Sequence, residues 1–373
     1  MSLYPTRKLG RNGPTVSAIG LGAMGLGGAF YGSADEASVL QMLTHAADSG
    51  ITFWDTADVY GASETTIGKW FRTTGRRGEI FLSTKFGAKD LTENAENIWR
   101  PNSQPSYIKK RLESSLALLD PNPDGTDESK RVKSHIDLYF QHRVDPDTPI
   151  ELVLETVRPY IESGEVGYVG LSDCGTEVLR RAKAVPGVGE KVVAVQVEFS
   201  PFDLEVETSG FVAQARALGV TIIPYSPLGR GKLLILITVC RMYKSRADFG
   251  PADVRLFMPR FSEENLGTNL KLVTAFEAVA AKYDATPTQI ALAWILTAYP
   301  DFVPIPGTRN AARVEENAKS ARLQLSKEDI QDIEAAVRGA DVKGGRLPAG
   351  FTSSTVSISI TEWKGETSRV KKA

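Results

Sequence analysis

The order of apolar and amphipathic stretches predicts an α/β fold of the (β/α)8 barrel type, formed as a single unit. Three observations predict it. Eight short runs rich in Val, Ile, Phe and Tyr recur along the chain, each bounded by Gly, Pro or Asp. Helical periodicity fills the stretches between them. Several of the runs end in a polar residue, and barrels of this type carry their chemistry at the C-terminal ends of their strands.

The expected strands are Val16–Ala23, Thr52–Thr56, Ile80–Phe86, Ile136–Gln141, Tyr168–Ser172, Val192–Phe199, Thr221–Tyr225 and Phe302–Ile305. The expected helices follow the same order. Glu36–Ser49 stops at Gly50, and Ser106–Leu119 carries Leu and Ile at helical spacing. Pro149–Ser163 has its proline near the start and stops at Gly164, as a helix closed by a C′ glycine does. Asn269–Tyr283 and Pro287–Thr297 come next. The last helix runs to Val337, with Ser326, Glu328 and Asp329 forming a capped start. The barrel is expected over 7–340, with 341–373 as a C-terminal tail that is mobile in part.

A doubly wound sheet is the structural rival, because Gly20, Gly22 and Gly25 fit a G-x-G-x-x-G spacing after the first run. That fingerprint needs a second strand ending in an acidic residue about twenty positions on. The stretch from Glu36 to Ser49 is helical in pattern instead, so a glycine-lined loop at a barrel mouth is the better reading. Two segments interrupt the regular order. Pro121–Lys133 is polar, contains Pro and Gly, and reads as a surface loop. Leu233–Met242 is apolar and β-branched where a polar loop is expected.

Composition narrows the function classes. The chain has 373 residues, 42% hydrophobic and 24% charged, which suits a globular core without disulfide or metal staples. A formal net charge of −1, with both signs dispersed, argues against nucleic acid or a membrane surface as partner. The two cysteines, Cys174 and Cys240, have no metal-site or disulfide spacing, so no metal is expected. Met1 to Gly10 lacks the apolar core of a secretory leader, and Leu233–Cys240 is too short to span a bilayer; a cytoplasmic location is the expectation. Nothing in the sequence specifies an oligomeric state.

The candidate chemistry lies at successive strand ends. Asp55 ends the second run, with Tyr60 in the loop behind it; Lys85 lies near the end of the third and His142 ends the fourth. Each alone is as readily a turn residue, a packing residue or a satisfied core group, and it is their joint placement on one rim that points to catalysis. A tyrosine is a slow acid near neutrality, since its ordinary pKa is about 10. An adjacent ammonium lowers that pKa, and Asp55 would hold Lys85 in place. His142 can donate a hydrogen bond that orients a carbonyl. No side chain supplies a hydride, so a nicotinamide cofactor is implied. Reduction of a small-molecule carbonyl is the leading reading.

The pattern resembles the aldo-keto reductase superfamily, closest to the microbial and fungal branch that is also similar to pyridoxal reductases and voltage-gated potassium-channel β subunits. The resemblance runs from about Arg7 to Val337 and rests on WDTADVYG with Ser63-Glu64, STKFG, DLYFQHRVDP, GEVGYVGLSD, VQVEFSPF, PYSPLGRG and IPGTRNAARVEEN. It implies a (β/α)8 barrel that uses NADPH, with Asp55, Tyr60, Lys85 and His142 as the tetrad and Tyr60 as proton donor. It places Ser172, Asp173 and Gln196 at the nicotinamide carboxamide and stacks Tyr225 on the nicotinamide ring. Ser226, Leu228, Gly229 and Gly231 fall in the pyrophosphate loop. Gly307, Thr308, Arg309 and Arg313 match the 2′-phosphate clamp, and Glu316 and Asn317 the adenine contacts.

Two features depart from the family's pattern. Asp173 stands where Asn is frequent, and an ionised carboxylate only accepts hydrogen bonds. Lys232 to Phe249 replaces a short loop, either as a translated intron remnant or gene-model error or as an authentic lid insertion. Met24, Phe30, Tyr31 and Trp99 are the expected apolar lining of the substrate pocket, with Phe351 and Trp363 of the tail beside them. Aromatic aldehydes and pyridoxal suit such a lining better than sugars. Two other readings stand beside the reductase: an NADPH-binding sensor with little turnover, and a copy impaired by the 233–242 segment.

Overall fold

An antiparallel hairpin of β1 (Thr6–Lys8) and β2 (Thr15–Ser17) precedes the barrel strands. The structure, a computed structural model, describes residues 4–32, 34–123, 134–234, 249–251, 253–347 and 360–363. Strand and helix then alternate: β3 (Leu21–Gly22), α1 (Glu36–Asp48), β4 (Phe53–Asp55), α2 (Ser63–Thr74), β5 (Phe81–Phe86), α3 (Pro105–Leu118), β6 (Ile136–Gln141), α4 (Ile150–Glu162), β7 (Val166–Ser172) and α5 (Thr176–Ala184). The second half has β8 (Val192–Glu198), two short helices α6 (Glu205–Thr208) and α7 (Phe211–Ala217), then β9 (Thr221–Tyr225), α8 (Glu263–Lys282), α9 (Pro287–Ala298), α10 (Ala311–Lys319) and α11 (Lys327–Gly339). Strands β3 to β9 are all parallel and lie in sequence order.

Barrel closure falls to 302–307. The amides of Val303 and Ile305 donate to the Ile222 and Pro224 carbonyls on β9, while the Pro304 and Pro306 carbonyls accept from Gly20 and Gly22. The two prolines face β3 and have no N–H to return, so the segment closes the ring with half a ladder on that side and is no regular strand. The expected strand Val16–Ala23 is also corrected, being divided between β2 and β3. Ser17 causes the break: its hydroxyl donates to the Ile19 carbonyl and accepts from the Phe53 amide, so the chain turns from the hairpin into the barrel.

Helix ends follow the sequence signals. Asp35 caps α1 by accepting from Ser38, Thr286 and Gln289 form a capping box on α9, and the Ser326 side chain accepts from the Asp329 amide at the start of α11. Gly50 and Gly164 follow α1 and α4 with φ of 78° and 79°. The helix expected to begin at Asn269 begins at Glu263, capped by Ser262.

Alternation along the strands divides the core in two. Phe53, Leu138, Phe140, Ala194, Ile223, Val303 and Ile305 fill the barrel, with Leu9 and Val16 of the hairpin segment closing its base. Their neighbours Trp54, Leu82, Tyr139 and Val195 face the helices. Gly170 serves the inner layer, because a Cβ there would lie 2.2 Å from the Phe140 ring. Among the described residues, no helix is long and apolar enough to cross a membrane and no group of three or more His, Cys, Asp and Glu gathers to hold a metal ion.

Of the two unusual segments, 124–133 and 235–248 lie outside the described residues, as does Cys240. The choice between intron remnant and lid insertion therefore falls outside them too. In the tail, Phe351 lies outside the described residues, while Thr361 is held against Pro146 by two hydrogen bonds, at 3.0 and 2.9 Å.

Gly27 fixes the Tyr60 loop by close approach. A Cβ at Gly27 would lie 1.6 Å from the Tyr60 carbonyl oxygen and 2.7 Å from the Ser63 amide nitrogen, both backbone atoms. Gly27→Ala is expected to lower stability by about 3 kcal/mol, read by chemical denaturation. A variant as stable as the wild type would contradict this packing.

Candidate active site

The strand period brings the four candidate groups together. Asp55 is two residues beyond Phe53, Lys85 four beyond Phe81 and His142 two beyond Phe140, and all three of those aromatics belong to the inner layer. Residues separated by an even number share a strand face, so Asp55, Lys85 and His142 point into the barrel mouth. The same parity carries Ser172, Gln196 and Tyr225 inward from β7, β8 and β9. Tyr60 arrives from a tight loop. Its amide donates to the Ala57 carbonyl, Thr56 and Ser63 bond through their hydroxyls at 2.8 Å, and Gly61 turns with φ 63°.

Lys85 is fully buried. Its Nζ lies 2.5 Å from Asp55 Oδ1, 2.7 Å from the Thr56 carbonyl and 3.5 Å from the Tyr60 hydroxyl, so its three protons all have acceptors. Asp55 Oδ2 accepts from Ser83 Oγ at 2.7 Å and from Gln196 Nε2 at 2.9 Å. Asp55 thus joins Lys85 to the β8 side of the mouth. The Tyr60 ring meets His142 edge-on at 5.6 Å and Phe30 at 6.0 Å. His142 is buried, and its Nδ1 has no hydrogen-bond partner among the described residues.

Burial decides the protonation states. It raises the Tyr60 pKa above its ordinary value, outweighing the opposing pull of the Lys85 charge. The sequence expectation of a lowered value is thereby corrected for the free protein. Burial works against the Lys85 ammonium, but Asp55 and Tyr60 more than offset it and its pKa rises. Burial, reinforced by the Lys85 and Arg143 charges, holds His142 well below its ordinary value. At neutral pH the site therefore holds a protonated phenol, an ammonium and a neutral imidazole.

The positions expected to hold a cofactor lie on the strand ends and loops beside these groups. The Tyr225 hydroxyl donates to Asp173 Oδ2 at 2.8 Å, across the end of β8, and Ser172 accepts from Arg143 at 3.4 Å. Ser226, Gly229 and Gly231 have φ of 52°, 59° and 91°, which folds that loop tightly after β9 while Leu228 packs on the core. Gly307 pairs with Gly22 across the closure. Thr308 and Arg309 precede α10 and Arg313 sits in its first turn, where helix amides and cations together suit a phosphate. Arg309 donates to the carbonyls of Tyr31 and Gly32. Glu316 accepts from Thr286 at 2.6 Å, and Asn317 is buried.

The expected lining residues separate. Phe30 touches Tyr60. Trp99 is exposed, but Lys89 Nζ lies 3.7 Å from its ring centroid and 5.9 Å from that of Phe30, so one cation connects the two rings. The Tyr31 ring lies under Arg255, 5.7 Å from its guanidinium carbon, and the Tyr31 carbonyl accepts from Arg309. Met24 is half-buried in the loop after β3.

The sequence reading passed over several charged groups. Behind β5, Glu64 accepts from Thr84 at 2.7 Å and Asp58 from Arg111 at 2.9 Å, and burial pushes Asp58 up to about 7. Both acids lie in the motif around Tyr60, which was the available signal. Arg143, next to His142, reaches Asp173 at 3.1 Å. Glu198, Arg230 and Arg346 form buried ion pairs at the mouth, and Arg346 has no local sequence signal at all.

A barrel with this mouth matches known proteins. The aldo/keto reductase family profile covers residues 18–338. The chain belongs to the aldo/keto reductase family. Aldo-keto reductase yakc [NADP(+)] of Schizosaccharomyces pombe is 43% identical over 353 residues, covering 94% of this chain and 96% of the relative. Aldo-keto reductase str7 of Strobilurus tenacellus is 40% identical over 351 residues, covering 92% and 94%. The solved structure of a thermostable aldo-keto reductase, Tm1743, in complex with the inhibitor epalrestat superposes with a TM-score of 0.67 at 26% identity, over 89% of this chain and 99% of that one. By family membership this aldo/keto reductase is an oxidoreductase.

The His142 shift has a definite sign. As pH falls through about 6.5, the unfolded chain gains a proton at His142 that the folded chain does not take up, so stability falls, by up to about 1.4 kcal/mol per pH unit. His142→Gln is expected to flatten that part of the stability profile between pH 7 and 5, measured by denaturant unfolding. Identical slopes in wild type and variant would contradict a neutral His142.

Proposed function

We propose that this aldo/keto reductase reduces aldehydes and ketones to alcohols with NADPH, with Tyr60 as the general acid. The observation that carries the proposal is the buried Asp55–Lys85 pair, whose ammonium lies 3.5 Å from the Tyr60 hydroxyl at the barrel mouth. A bound NADPH supplies the hydride. The residues there suit that cofactor: Asp173 Oδ1 is a buried acceptor without a donor among the described residues, and Arg309 and Arg313 lie at the start of α10.

The chain's own groups do the rest. Tyr60 keeps its proton in the free enzyme because burial raises its pKa, so it donates to the carbonyl oxygen as negative charge develops there. Lys85 stabilises the phenolate that remains, and Asp55 keeps Lys85 charged and aimed at Tyr60. His142, neutral, has one N–H to donate to the same oxygen and thereby orients it. Phe30, with Trp99 behind Lys89, gives an aromatic approach that suits aromatic aldehydes.

The test is NADPH oxidation at neutral pH with 4-nitrobenzaldehyde, wild type beside Tyr60→Phe. Loss of about 10²- to 10⁴-fold in kcat, with NADPH affinity retained, is expected. Turnover of Tyr60→Phe at the wild-type rate would overturn the assignment. NADPH binding without turnover in the wild type would favour a sensor role instead.

A further inference from the structure

Asp173 and Arg346 form a buried pair at the cofactor groove, 173 positions apart in the chain. Asp173 follows β7 with φ 45°, and its carboxylate is 8% exposed. Its Oδ2 accepts from the Tyr225 hydroxyl at 2.8 Å, meets Arg143 at 3.1 Å and bonds to Arg346 Nη2. Its Oδ1 is buried and has no hydrogen-bond partner among the described residues. One oxygen of the carboxylate is thus engaged, and the other is left for a donor that no described residue provides.

Arg346 is delivered by a short strap behind α11. Asn269 on α8, itself buried, receives the Lys343 amide at 2.7 Å and donates to the Lys343 carbonyl at 2.9 Å. Gly344 then turns with φ 84° against the backbone of Pro259 and Arg260, where a side chain would collide at 2.7 Å. The strap therefore has one seat, and from it the Arg346 guanidinium enters the mouth. There its Nε lies 2.9 Å from Glu198 Oε2, and its Nη2 meets both Asp173 and the Tyr225 hydroxyl. The guanidinium carbon also lies over the Tyr225 ring, 5.4 Å from its centroid.

We propose that Arg346 is a positioning residue of the cofactor site, holding the Asp173 carboxylate in place so that Oδ1 accepts from the carboxamide N–H2 of NADPH. A buried carboxylate needs a fixed counter-charge, and one seated by it offers its second oxygen as an acceptor in a set direction. Arg143 alone is an incomplete counter-charge, since its side chain is 31% exposed and screened by water. Arg346, 7% exposed, is the buried counter-charge. Asparagine at this position would offer a carbonyl acceptor with no charge to balance, so carboxylate and arginine act as a matched pair. The inference rests on NADPH occupying this groove.

The test is a double-mutant cycle read by NADP+ binding, using tryptophan-fluorescence titration of the full chain at pH 7 and thermal unfolding as a check of folding. Arg346→Met is expected to weaken NADP+ at least about tenfold, the size of a lost hydrogen bond to a charged group. In Asp173→Asn, the same Arg346→Met change is expected to alter affinity less than about threefold, because Glu198 still has Arg230 and Arg260 as cations. Unchanged binding in Arg346→Met overturns the proposal, as does tighter binding, which would make Arg346 a competitor for the groove. An equal loss in both backgrounds also overturns it, placing the effect in Glu198 or the fold. A wild type that binds no NADP+ overturns the cofactor reading itself, and this inference falls with it.

Discussion

Lys85 places a positive charge inside the barrel with no exposed surface, and the mouth is organised around balancing it. An ammonium taken out of water persists as a cation only if its protons and its charge are met. Asp55 does both, and its own second oxygen is then fixed by Ser83 and Gln196. Through Gln196 the same carboxylate reaches β8, the strand between the two that carry Asp173 and Tyr225. A single buried acid therefore ties the proton-donating side of the mouth to the groove proposed for the cofactor. Displacing it would disturb both at once.

The electrostatics of the free protein favour a stored acid over a preformed phenolate. Tyr60, Lys85 and His142 share a poorly hydrated space, and burial acts on each in the direction of fewer net charges. It succeeds with the phenol and the imidazole and fails with the lysine, where Asp55 and Tyr60 prevail. The outcome is one fixed cation beside two neutral proton carriers. Such a site is quiet until negative charge develops on a bound oxygen, and then both the cation and the polar hydrogens face it. The same economy appears across the groove, where Glu198 and Asp173 are balanced by Arg230, Arg260, Arg143 and Arg346.

The barrel and the convergence of Asp55, Tyr60, Lys85 and His142 at its mouth were legible because both rest on short-range pattern. A strand period of two, read from Phe53, Phe81 and Phe140, points Asp55, Lys85 and His142 inward without any knowledge of the rest of the chain. Cap residues such as Ser326 and Thr286 act within three positions and are equally local. What the sequence hid depends on distance or on burial. Phe302–Ile305 reads as a strand, but the effect of Pro304 and Pro306 appears only once their faces toward β3 are known. The lowered Tyr60 pKa expected from Lys85 neglected desolvation, which is a property of the packed mouth. The Asp173–Arg346 pair joins β7 to the strap behind α11, a contact that no window on the sequence contains.

The central claim is that a hydride passes from NADPH to a carbonyl carbon at the Tyr60 end of the mouth. Its most direct measurement is an isotope trace: 4-nitrobenzaldehyde is incubated with the protein and each C4 epimer of deuterium-labelled NADPH in turn, and the alcohol is analysed by mass spectrometry. The account expects deuterium on the carbinol carbon from one epimer and not from the other. Alcohol free of deuterium with both epimers, or no alcohol at all from protein that binds NADPH, would contradict it.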